Sequence, residues 1–120
     1  MLLNRRAMLS AGIGAMALSL AGCNHTRTTV IFVNNYSVPL TIAATADGKT
    51  FSKKNVQPGH SVQQLYLSNE TLGTDAALTG TVTATGQVPI DLAGFGLFVK
   101  VGYKNTIAID SFGAVTLVVQ

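Results

Sequence analysis

From Thr28 to the last residue the sequence is cut into short apolar or alternating runs by turn residues, and no stretch sustains a helical period over three turns. That pattern restricts this part of the chain to β-structure. Val, Ile, Thr and Phe dominate the runs, as a pleated, half-buried surface favours. Strands are expected near 28–33, 38–46, 50–56, 61–67, 79–85, 95–101, 104–110 and 114–119.

The breaks between the runs have their own chemistry. Asp47-Gly48 suits a tight hairpin that needs positive φ at both central positions. Gln57-Pro58-Gly59-His60 fits a type II turn, with proline presetting φ and glycine taking the left-handed place. Asn34-Asn35-Tyr36-Ser37 and Asp110-Ser111-Phe112-Gly113 separate further pairs of strands. Short strands and frequent turns predict an all-β fold, a small antiparallel β-sandwich of immunoglobulin-like type with about seven or eight strands.

Alternation then assigns the faces. Leu40, Ile42 and Ala44 are expected inside, with Thr41, Ala43 and Thr45 facing outward or toward a neighbouring strand. Val30, Phe32, Leu65, Leu67, Val82, Phe98, Ile107, Ile109, Val115, Leu117 and Val119 complete the expected core. The segment 68–78 is the least strand-like, and Thr74 is placed to cap one helical turn over Asp75-Ala76-Ala77-Leu78.

The N-terminus is different in kind. Residues 1–6 carry Arg5 and Arg6, and Ala7 to Leu20 form an uncharged apolar run, the two parts of an export signal. The run is shorter than the ~20 residues of a permanent membrane-spanning helix. It ends in Leu20-Ala21-Gly22-Cys23, which resembles the lipobox of bacterial lipoprotein precursors. The resemblance implies a signal peptide of residues 1–22, cut between Gly22 and Cys23. It also implies diacylglycerol on the Cys23 sulfur and a further acyl chain such as palmitate on the new amino group. Several acyl chains hold a protein stably to a bilayer where one would not. Asn4-Arg5-Arg6-Ala7-Met8-Leu9 also resembles a twin-arginine signal, departing from it at Asn4 and Met8. By resemblance to enterobacterial sorting, Asn24 after the cysteine implies the periplasmic face of the outer membrane rather than the inner one.

This reading sets the domain plan: signal 1–22, lipidated Cys23 with a polar tether through residue 29, and a β-sandwich over 30–120. It also resets the charge. The whole chain carries +3, but beyond Cys23 six basic residues stand against five acids, leaving +1 and no basic stripe to track phosphates. Nucleic acid is therefore not expected as a partner. The one cysteine rules out an intramolecular disulfide.

Candidate chemical groups are few. His60 precedes Ser61, but neither a nucleophile elbow nor an oxyanion loop accompanies them, and His60 reads as a loop residue after a turn. His25 lies in the tether without neighbouring metal ligands. Gly94-Phe95-Gly96 lacks the lysine and helix of a phosphate loop and reads as a bend. Thr79, Thr81, Thr83 and Thr85 alternate on one face as solvent-facing threonines. Tyr36, Tyr66 and Tyr103 read as turn or rim residues rather than a stacking platform. No catalytic residue, metal or cofactor is expected, and no ligand-binding residue is assigned. The expectation is a non-catalytic structural or protein-interaction module of the cell envelope, held to the bilayer through acylated Cys23 and acting on an envelope protein at the same membrane. The alternative is a ligand- or glycan-binding module. An envelope enzyme would need His60 beside a nucleophile.

Overall fold

The computed structural model describes residues 25–110 and 113–120. The signal segment, the lipobox with Gly22 and Cys23, and the sorting position Asn24 lie outside the described residues, as do Ser111 and Phe112. Ten strands follow in order: β1 Thr26–Asn34, β2 Leu40–Ala46, β3 Lys49–Val56, β4 Ser61–Ser68, β5 Asp75–Ala77, β6 Thr79–Ala84, β7 Ile90–Asp91, β8 Phe98–Lys100, β9 Lys104–Ile109 and β10 Val115–Val119, with a 3₁₀ turn at Leu92–Phe95 between β7 and β8. They form one four-stranded sheet in the order β10-β9-β1-β4, a second in the order β3-β2-β6-β7, and a two-stranded ribbon β5-β8. The expected β-sandwich is thus present.

Three details differ from the expectation. The pairing is not antiparallel throughout: β1 and β9 run parallel, from Lys104 opposite Thr29 to Ile109 opposite Asn34. The first strand lies inside its sheet, between β4 and β9, whereas the first strand of the immunoglobulin order is an edge. The segment after β4 also forms no helical turn at Thr74. Asp75, Ala76 and Ala77 pair with Lys100, Val99 and Phe98 instead. A helical turn there would satisfy few backbone groups by itself, and the neighbouring strand supplies partners directly.

The turns take the geometry their sequences require. Asp47 and Gly48 have φ of 52° and 68°, as a type I′ hairpin demands. In the turn Gln57-Pro58-Gly59-His60 the His60 N–H reaches the Gln57 carbonyl at 3.0 Å and Gly59 has φ 79°. Asn55, with φ 54°, takes up a bulge in β3, where the register against β2 shifts between Leu40 and Ile42.

The core lies between the two sheets. Val30, Phe32, Ile107 and Ile109 from one sheet meet Leu40, Ile42, Ala44 and Val82 from the other, and Leu78, Leu92 and Val99 close the side nearest the ribbon. Fully burying each larger aliphatic side chain contributes ~1.5–3 kcal/mol. Four core assignments are corrected. Leu65 and Leu67 point to solvent while Tyr66 and Ser68 point inward, and Phe98 is exposed while Val99 is buried. Val119, at the end of β10, is likewise exposed.

Each end of the sandwich is tied by a buried asparagine. The Asn34 side-chain amide donates to the carbonyls of Val38 and Val56 at 2.9 and 2.8 Å, and its side-chain oxygen accepts the Tyr36 N–H at 2.7 Å. The Asn105 amide donates to Thr29, Lys100 and Tyr103 carbonyls, and its oxygen accepts the Lys100 N–H at 2.7 Å. Both supply partners for backbone groups of the strand ends and loops around them.

The strand that follows the N-terminal segment begins at Thr26, so Thr26 to Thr29 belong to β1 and not to a tether. Thr28 is fully buried and its hydroxyl accepts the Gly102 N–H at 3.0 Å. The Thr26 hydroxyl donates to the Glu70 carbonyl at 3.0 Å. Polar as these residues are, threonine suits a strand, and their hydroxyls find partners inside the fold.

Candidate functional site

An apolar surface lies on the outer face and along one edge of the β10-β9-β1-β4 sheet. Because side chains alternate, the burial of Val30, Phe32, Ile107 and Ile109 turns Ile31, Val33, Thr106 and Ala108 outward. The register sets Thr106 between Val118 and Ile31, and Ala108 between Thr116 and Val33. Leu65 and Leu67 of β4 stand opposite Thr29 and Arg27 on the same face. The result is an apolar and threonine-rich surface. Its charges, Arg27 and Lys104, both stand at the end where β1 begins, and none of its described residues is acidic.

Among the described residues strand β10 is one of the two edges of this sheet, β4 being the other. Lys104 and Gln120 exchange two backbone bonds, of 3.1 and 2.9 Å, and Asp110 donates to Ala114 at 3.0 Å. In an antiparallel ladder the bonded pairs alternate. The N–H and C=O groups of Val115, Leu117 and Val119 therefore point away from β9, to the free side. Edges are ordinarily blunted by charge, proline or bulges. Strand β3, an edge of the other sheet, follows that rule with Lys49, Lys53, Lys54 and the Asn55 bulge. Strand β10, Val-Thr-Leu-Val-Val, carries none of these devices.

Nearer the core, Tyr66 stacks obliquely on Phe51 across the two sheets, ring centres 5.4 Å apart at 44°. Its hydroxyl is buried without a hydrogen-bond partner. Burial pushes the phenol above its ordinary value and Asp47 adds to the shift; the Thr28 hydroxyl opposes it without making a hydrogen bond of good geometry.

The sequence candidates do not converge on one site. His60 is exposed in its turn, and its backbone carbonyl accepts the Asn34 N–H at 2.9 Å. His25 is exposed just before β1. Gly96 ends the 3₁₀ turn in the left-handed conformation, and the Asp91 carboxylate caps its start through the Ala93 N–H. Thr79 and Thr81 are exposed and Thr83 is half-buried along β6. Tyr36 donates to the Gln87 side chain at 2.8 Å, Tyr103 sits half-exposed at a turn, and Tyr66 is a core residue rather than a rim one. Among the described residues no pocket opens, and no three of His, Cys, Asp and Glu gather as metal ligands. No helix of the described residues is long and apolar enough to cross a membrane. The β10 edge was missed because pairing is non-local; its one sequence signal is an uncharged β-branched run.

No family model matches the chain, and no curated protein is similar to it. Among solved structures it is similar to one described as the NMR structure of the protein from Eubacterium rectale, at 17% identity over 85% of this chain and 94% of that one, with a TM-score of 0.48.

Proposed function

We propose that the protein is a lipid-anchored, non-catalytic interaction module of the cell envelope, and that its binding element is the open edge β10. Cys23 holds it to the bilayer, at the periplasmic face of the outer membrane by the resemblance at Asn24. An extended segment of an envelope protein at the same membrane adds to β10 as a further strand, a mode in which main-chain bonds give affinity and alternate side chains give selectivity. The observation that carries this reading is the row of free N–H and C=O groups at Val115, Leu117 and Val119 on an edge with neither charge nor proline.

Two arms test it. Cys23→Ser should abolish palmitate labelling and release the protein from membranes; equal labelling of the variant overturns the anchor. A photo-crosslinker at Thr116 should capture a partner, and the capture should be lost in Val119→Pro. That proline removes an N–H facing the free side and so leaves the β9 ladder bonded. Capture unchanged in a folded Val119→Pro variant overturns the edge as the binding element.

A further inference from the structure

The anchor point and the fold together fix which way the domain faces. Only Asn24 and His25 separate Cys23 from β1, so the Cα of Thr26 lies no more than ~11 Å from that of Cys23. Strand β1 is nine residues long, about 30 Å from end to end. The pole at its start is thus held near the lipid, and the far pole is held away.

The near pole is built from the start of β1, the loop 69–74 after β4, the turn 101–103 before β9, and the Asp47-Gly48 hairpin tip. Three large apolar side chains project from it: Leu72 is 60% exposed, Leu67 50% and Tyr103 39%. Leu72 lies across Gly102 beside Thr26, where even a Cβ on that glycine would meet its Cδ1 and the Thr26 methyl. Leu67 is paired with Arg27, and Tyr103 accepts the Thr29 N–H through its carbonyl at 3.2 Å. Arg27 and Lys104 flank these residues, while Lys100 is held by Asp75 at 3.0 Å. Of the acids here, Asp47 is engaged by Ser68, and Glu70 is exposed. Among the described residues, the opposite pole, with loops 35–39, 57–60 and 85–89, presents Val88 as its one exposed large hydrophobe.

We infer that the near pole is a membrane-contact surface, with Leu72, Leu67 and Tyr103 at the boundary of headgroups and acyl chains and Arg27 and Lys104 beside anionic headgroups. This rests on the lipid-anchor reading above. An exposed apolar cluster rimmed by cations matches the chemistry of a lipid interface, and the short connection brings that interface to the cluster. The β10 edge then runs toward the membrane, with Val115 at the far end and Val119 at the end nearer the lipid.

The test uses the mature lipidated protein in vesicles of phosphatidylethanolamine and phosphatidylglycerol. Acylation consumes the Cys23 thiol, so a cysteine placed by Leu72→Cys, Tyr103→Cys or Val88→Cys accepts an environment-sensitive fluorophore alone. Lipids spin-labelled near the headgroup should quench the labels at 72 and 103 at least about threefold more than the label at 88. Equal quenching at all three positions, or none at 72 and 103, in protein whose mass includes the acyl chains overturns the inference alone. A mass without acyl chains overturns the anchor and the inference with it.

Discussion

The carboxylate of Asp47, at the tip of the β2–β3 hairpin, accepts the hydroxyl proton of Ser68 at the end of β4, so a turn of one sheet is fastened to a strand of the other. Ser68 is buried and its oxygen also accepts the Glu70 N–H at 3.0 Å. Replacing Ser68 by Ala removes both interactions at once. The expected loss is ~1–2 kcal/mol of stability, read as a lower urea midpoint at unchanged slope. A midpoint identical to wild type would show that the contact does not stabilise the fold.

Tyr66 offers a pH test whose sign is fixed by burial. Its phenol titrates higher in the folded protein than in the unfolded chain, where the value is about 10. Between those two values the unfolded chain has lost the proton that the folded one keeps, so its stabilising contribution is complete below pH ~10 and is lost as pH rises through the folded value. Tyr66→Phe should flatten that alkaline fall. Since the hydroxyl has no partner, the same variant should gain up to ~1 kcal/mol at neutral pH, and calorimetry across pH 7 to 11 checks both effects.

Asn34→Ala deprives two carbonyls and one N–H of their partners in a fully buried place. A loss of ~2–4 kcal/mol is expected by chemical denaturation. Faster amide exchange should be confined first to the pole that holds residues 34–38 and 56–60.

Two glycines distinguish packing from backbone conformation. A Cβ on Gly80 would lie 2.1 Å from the Ala43 carbonyl oxygen, whereas one on Gly59 would meet nothing within 4 Å. Both have positive φ. Gly59→Ala should therefore cost only the ~1–2 kcal/mol of a left-handed alanine, and Gly80→Ala clearly more, because β2 and β6 must separate. Equal melting temperatures for the two variants would refute the close approach.

Most strands were legible because alternation and turn chemistry agree, as along Leu40, Ile42 and Ala44 and at Asp47-Gly48. Strand β4 misled because its hydrophobicity argues for the wrong face: Leu65 and Leu67 outweigh Val62, Gln64, Tyr66 and Ser68 as side chains, yet the second set points inward. What decides the register is non-local, namely the Phe51 ring against Tyr66, the Asp47 carboxylate at Ser68 and the pairing with β1. Strand β8 inverted for a similar reason, since its inward residue Val99 is smaller than the exposed Phe98 beside it. The start of β1 was hidden by four polar residues whose partners, Glu70 and Gly102, are more than 40 positions away. The edge position of β10 was illegible in the same sense, because nothing local says which strands flank it in the sheet.

The parallel pairing of β1 with β9 also sets the order of events in folding. Strand β4 lies nearer to β1 in the chain than β9 does, so one side of β1 stays open until residues 104–109 arrive. Such long-range pairing closes large loops and is slow, on the order of milliseconds to seconds for β-rich domains. During that interval the run Val30-Ile31-Phe32-Val33 is itself an uncharged exposed edge. A chain truncated before Lys104 would keep that edge permanently and would tend to self-associate. Protection from aggregation thus comes from the C-terminal third of the chain, although the segment it protects is synthesised well before it.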